Sequence, residues 1–238
     1  MRTETTLRLT RTQYRAFAEQ AKAAGICLGA SSLRDLGGNW GMFDPRAKLT
    51  CTNANEPDTM WTECARIDIS TTVNTKHMRS VQRPEIDWSA LEDHEIYPFI
   101  VAHELGHWTD NFRVWDAWNI ADNDVRHRCE RVMYMINEVL ADRFAWESIR
   151  PGEALPLCEM GKRREAEVFA EMAFLHEHVP RARRSAKVIP AGQYAYVPQS
   201  MLLTDAMVAY VGPSVSSAII ERTRERRRIY RRDTRARA

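Results

Sequence analysis

The chain has 238 residues, a net charge of +2 and 44% hydrophobic content, enough for a buried core and ordinary for a globular protein. No apolar run approaches the roughly 20 residues of a membrane span, and five cysteines, an odd number with no CxxC pair, argue against a disulfide framework. The N-terminal stretch MRTETTLRLTRTQ lacks the apolar segment of a signal peptide, so the expected compartment is the cytoplasm.

In chain order, TTLRLTRTQYRAFAEQAKAAGICL predicts a short strand. A helix follows from near Thr10, with Tyr14, Phe17, Ala21 and Ala24 on one stripe and Gly25 ending it. NWGMFDPRAKLTCTN holds two short β-like runs around the turn dipeptide Asp44-Pro45, which predicts a hairpin. ARIDISTTV (65–73) alternates Ala65, Ile67 and Ile69 with Arg66, Asp68 and Ser70, the pattern of a half-buried strand. Residues 81–93 contain Pro84 and read as loop. Helices are expected over the HELGH segment, from near Asp122 to Ile149, and from near Lys162 to Glu177. PAGQYAYVP (190–198) reads as loop or edge strand, and a last helical pair is broken at Gly212-Pro213. No internal repeat is visible. Strands first and helices later imply an α+β class, with a small N-terminal sheet and a helical C-terminal half. The expected organisation is one domain over 1–221 and a basic tail over 222–238. The tail carries nine arginines against Glu225 and Asp233, leaving the rest of the chain net negative. It is either a solvated end or an electrostatic footprint for nucleic acid or an acidic protein.

The chemistry concentrates in FIVAHELGHWTD. His103 and His107 lie four residues apart, so on a helix they share a face and aim two imidazoles at one point. They continue the line of Ile96 and Ile100 toward the interior. Neutral imidazole is a favoured zinc ligand. Glu104 points partly aside, where it can take a proton from metal-bound water without filling a coordination position. Gly106 removes a side chain where another element or a substrate comes close. Composition alone yields HExxH in roughly one or two such chains per hundred, so a third ligand has to decide.

The segment DNDVRHRCERVMYMINEVLADRFAWESI carries two apolar stripes. Val125, Cys129, Val132, Ile136 and Leu140 form the first, and Met135, Ala145, Trp146 and Ile149 the second. Glu138 and Asp142 fall inside the second stripe, four apart and on one face. Burying them unpaired is costly. Either one ligates a metal while the other receives the free ring N–H of a histidine, or both meet one of the many arginines. HExxHxxGxxH is excluded because Asp110 and Arg113 stand where Gly and His are required, and His176 and His178 read as exposed helix residues.

VAHELGH together with INEVLADRFA resembles the gluzincin type of zincin metallopeptidase, HExxH plus ExxxD, as in thermolysin-type enzymes. The ExxAD form is similar to the ImmA/IrrE-like peptidases of phages and mobile elements. HELGHWT resembles the metallopeptidase domain of ArdC-type antirestriction proteins. The resemblance covers the two helices and leaves a longer connection between them than thermolysin has. It implies a zincin-like fold with a small sheet packed on the active-site helix. It also implies one Zn²⁺ per chain on His103, His107 and Glu138, with Glu104 as general base and Asp142 orienting a ligand histidine. The implied reaction is peptide-bond hydrolysis by metal-activated water, on a protein or peptide substrate paired along the edge of ARIDISTTV. An oxyanion stabiliser is also implied, with Tyr134, His176, Tyr194 and Tyr196 as candidates. The rival expectation is a non-catalytic zincin scaffold, an antirestriction or regulatory protein binding DNA or protein through its tail. It predicts biological activity that survives Glu104→Gln and weakens when 222–238 is deleted.

Overall fold

The computed structural model describes residues 4–51 and 60–179; Tyr194, Tyr196, the segments around 190–198 and 212–213, and the tail lie outside them. Among the described residues the fold is α+β, with two small sheets and mostly helix over 75–179. Two compact units divide the chain. Among the described residues the first comprises 4–11, 30–43 and 68–179, and the second 12–29, 44–51 and 60–67.

In the second unit, helix α1 (Arg11–Ala23) buries Phe17 and Ala21, two members of the expected stripe. Gly25 takes φ 77°, and its N–H donates to the Lys22 carbonyl while Ile26 N–H donates to the Ala21 carbonyl. This paired closure needs a left-handed residue, which glycine adopts without steric cost. Tyr14 Oη donates to the Leu28 carbonyl at 2.9 Å, fixing the helix on the strand that follows.

Strands β2 (Cys27–Ser31), β3 (Gly41–Cys51) and β4 (Met60–Ser70) form one sheet in the order β2-β4-β3. The expected hairpin at Asp44-Pro45 is absent, because β3 runs straight through it. Proline lacks the N–H a central strand needs, and an edge strand tolerates that loss. The Asp44 carboxylate accepts from Arg46 N–H at 2.8 Å, satisfying locally what a turn would have satisfied. The expected strand over 65–73 is two strands. Ser70 Oγ donates to the Thr72 carbonyl at 2.7 Å and breaks the run at exposed Thr71. Strand β5 (Thr72–Asn74) then pairs antiparallel with β1 (Thr6–Arg8), with Leu7 opposite Val73. Asp68 and Ser70 are buried as well as Ile67 and Ile69, so the end of β4 is covered on both faces. Because β4 is the middle strand, its backbone is engaged on both sides and cannot be the substrate edge expected for ARIDISTTV.

In the first unit, Asn74 caps the short helix α2 (Thr75–Ser80) through His77 N–H. The stretch expected as loop contains two 3-10 turns, Trp88–Ala90 and Asp93–Glu95, the latter closed by a reciprocal Glu92–Glu95 cap. Helix α3 (Ile96–Asp110) is buried nearly all round, from Ile96 to Trp108. Pro98 sits in its first turn, where no intrahelical N–H is required. Helix α4 (Asn123–Ile149) starts at Asp122, whose carboxylate accepts from the N–H groups of Asp124 and Val125. Helix α5 (Glu159–His178) packs on α4 through Val168 and Leu175, in a core with Cys129, Met133, Ile136 and Leu140. Gly106 sits at the α3–α4 crossing, where a Cβ would lie 2.9 Å from the Ala141 Cα. Asn137 clamps the chain leaving α3, accepting from Phe112 N–H at 2.8 Å and donating to its carbonyl at 2.9 Å. The close crossing and this clamp together fix the register of α3 against α4.

Candidate metal centre

That register brings His103, His107 and Glu138 together. Their ligating atoms lie within 4.8 Å of one another, a group that could hold a metal ion. The His103 and His107 Nε2 atoms are 3.1 Å apart. Glu138 Oε2 lies 3.5 Å from His103 Nε2, and Oε1 lies 3.3 Å from His107 Nε2.

The opposite ring nitrogens have acceptors of their own. His103 Nδ1 lies 2.8 Å from the fully buried Asp142 carboxylate, and His107 Nδ1 lies 2.9 Å from Asn111 Oδ1. Each Nδ1 therefore donates a ring proton to its own acceptor, and in the neutral rings both Nε2 lone pairs face Glu138. Three lone-pair donors at such distances repel unless a positive charge stands among them. Two imidazoles and a carboxylate are a donor set that suits zinc.

The titration behaviour follows the same charges. Burial by itself would lower the His103 pKa, but hydrogen bonds to Asp142 and Glu138 outweigh it and raise it to about 10, so a second proton on His103 and a metal ion are alternative sources of the positive charge among the three groups. Burial would raise Glu138, yet its hydrogen bonds to the two histidines hold it well below the usual carboxylate range. Glu104, next to His103 on α3, is 5% exposed, and burial pushes its pKa up.

Three more residues shape the centre. Arg83 donates to Glu138 Oε2 at 2.6 Å and to both Asp142 oxygens at 2.9 and 3.1 Å. The expected alternative, an arginine meeting these carboxylates, is thus also present. Arg83 supplies one positive charge against two carboxylates, with Glu104 beside them, so it leaves the cluster short of positive charge. It does not reach the imidazole lone pairs either. Trp88 lies under the Arg83 guanidinium at 4.4 Å and edge-on to His103 at 6.2 Å. The start of β3 lies against the same helix. A Cβ on Gly41 would sit 2.8 Å from Glu104 Cγ, and the Phe43 ring stacks at 6.4 Å from His107.

Of the expected oxyanion candidates, Tyr134 is exposed one turn before Glu138 on α4, and His176 packs at 5.2 Å from Phe112. Sequence reasoning missed Arg83, Gly41 and Asn111. Asn111 was discoverable, since it stands four residues after His107 and so on the same helical face. Comparison with protein families, curated proteins and solved structures finds no significant match to this chain.

Proposed function

We propose that this chain is a zinc-dependent metalloendopeptidase of zincin-like fold, acting in the cytoplasm on a specific regulatory protein. The observation that carries the reading is the convergence of two Nε2 lone pairs and the Glu138 carboxylate beside a buried Glu104. Zinc held by these three residues supplies a Lewis acid and makes water nucleophilic near neutral pH. Among the described residues no helix is long and apolar enough to cross a membrane.

The chain's own groups then have distinct tasks. Asp142 and Asn111 keep the ring protons on Nδ1, so both Nε2 atoms remain donors. Glu104, shielded from bulk solvent, takes a proton from the attacking water onto its carboxylate. The oxygen of that water bonds to the peptide carbonyl carbon. As the C–N bond breaks, Glu104 returns the proton to the departing amine. The substrate pairs with the start of β3 over residues 41–43, which adjoins Glu104 and His107, on a strand that is an edge among the described residues.

Glu104→Gln is the test, because it preserves shape and removes only the base. Turnover should fall about 10²–10⁴-fold while the zinc content stays at one per chain. Comparing the proteins cleaved in cells carrying wild type and Glu104→Gln would also expose the substrate. Equal cleavage by the two would overturn the assignment.

A further inference from the structure

Arg83 stands on a segment that is tied down along its length. The Glu85 carboxylate pairs through both oxygens with Arg143 at 2.5 and 2.7 Å. The Glu85 carbonyl accepts from Cys158 N–H at 2.8 Å, Ile86 bridges to Leu157, and Asp87 N–H donates to the Pro156 carbonyl at 2.7 Å. With Trp88 under its guanidinium and 14% of its side chain exposed, Arg83 is held rather than free to swing.

The consequence falls on Glu138. Its Oε2 already accepts from Arg83 Nη2 at 2.6 Å, whereas Oε1 makes no hydrogen bond with Arg83 and lies 3.3 Å from His107 Nε2. An oxygen engaged that closely by a guanidinium is a weaker donor to a second cation. We propose that Arg83 is a positioning residue that restricts Glu138 to ligating through one oxygen, so that the metal centre keeps a coordination position open. This rests on the reading that His103, His107 and Glu138 hold a metal. With Oε2 released, the carboxylate could chelate through both oxygens and fill the position that the substrate or water requires.

Two substitutions separate this from a purely structural role. Arg83→Lys keeps a positive charge beside Asp142, but an ammonium lacks the second nitrogen, Nε on Asp142, that directs Nη2 at Glu138. Arg83→Met removes the charge as well. Full-length wild type and both variants are loaded with Co²⁺ in place of zinc, and the visible d–d bands are recorded, since their intensity falls as coordination number rises. Wild type should show the intense bands of a four-coordinate ion. Both variants should bind one cobalt per chain with bands several-fold weaker. If Arg83→Met does not fold, Arg83→Lys decides alone. An Arg83→Lys spectrum equal to wild type overturns the proposal and leaves the metal site standing. Failure of wild type to take up cobalt overturns both. A merely structural Arg83 would lower the melting temperature without altering the bands.

Discussion

Glu104 is held in place by something that has no side chain. Gly41 passes over its carboxyl end, and a Cβ there would lie 2.8 Å from Cγ and 2.9 Å from Cδ. Space alone requires glycine, since no left-handed φ is recorded at this position. The obstructed group is the tip of a flexible chain, so Gly41→Ala should fold with a stability change of about 1 kcal/mol or less. Displacing the proposed general base is different, because a misplacement near 1 Å can cost about 100-fold in turnover. The expected outcome is a kcat reduced by about that factor, with zinc content unchanged. Steady-state kinetics beside metal analysis checks it, and an unaltered kcat would show that Gly41 does not set the position of Glu104. None of this was legible in the sequence. A glycine at a strand start has many uses, and nothing in NWGMF points to a glutamate more than sixty positions downstream.

At the level of elements, the α3–α4 crossing sets the geometry of the centre, and Gly106 makes it close. A Cβ there would meet the Ala141 Cα at 2.9 Å and carbonyl at 3.3 Å, backbone that cannot yield without moving a helix. Helix propensity alone would have Gly106→Ala stabilise the protein by about 1 kcal/mol. Overpacking should reverse the sign and destabilise by about 1–3 kcal/mol, with weaker zinc binding as Glu138 is carried away from the imidazoles. Thermal melts and a zinc titration read the two effects, and a net gain in stability would refute the tight crossing. Much of this architecture was legible. The four-residue spacings placed His103 with His107, and Glu138 with Asp142, on single faces, and Asp122 marked the start of α4. The irregular parts were not. Asp44-Pro45 carries strong turn chemistry, yet the sheet overrides it because an edge strand can absorb the missing donor. Arg83 lies in a loop, where no periodicity signals the direction of a side chain.

For the molecule as a whole, an ion that binds only the folded chain acts as a stabilising ligand. Zinc at a thousandfold over its dissociation constant should add about 4 kcal/mol, a rise on the order of 10 °C in melting temperature for a chain of this size. Chelation should reverse the rise, as differential scanning calorimetry with and without zinc would record. The same rise in a variant lacking both histidines would place the binding elsewhere. The uneven cover over the three candidate ligands has a kinetic corollary. The imidazoles lie on a helix walled in along most of its length, with 9% and 11% of their side chains exposed, whereas Glu138 shows 39% of its own. An ion entering this site would pass the carboxylate first, so its rates of loading and escape would be governed there, with the two rings behind as the final berth.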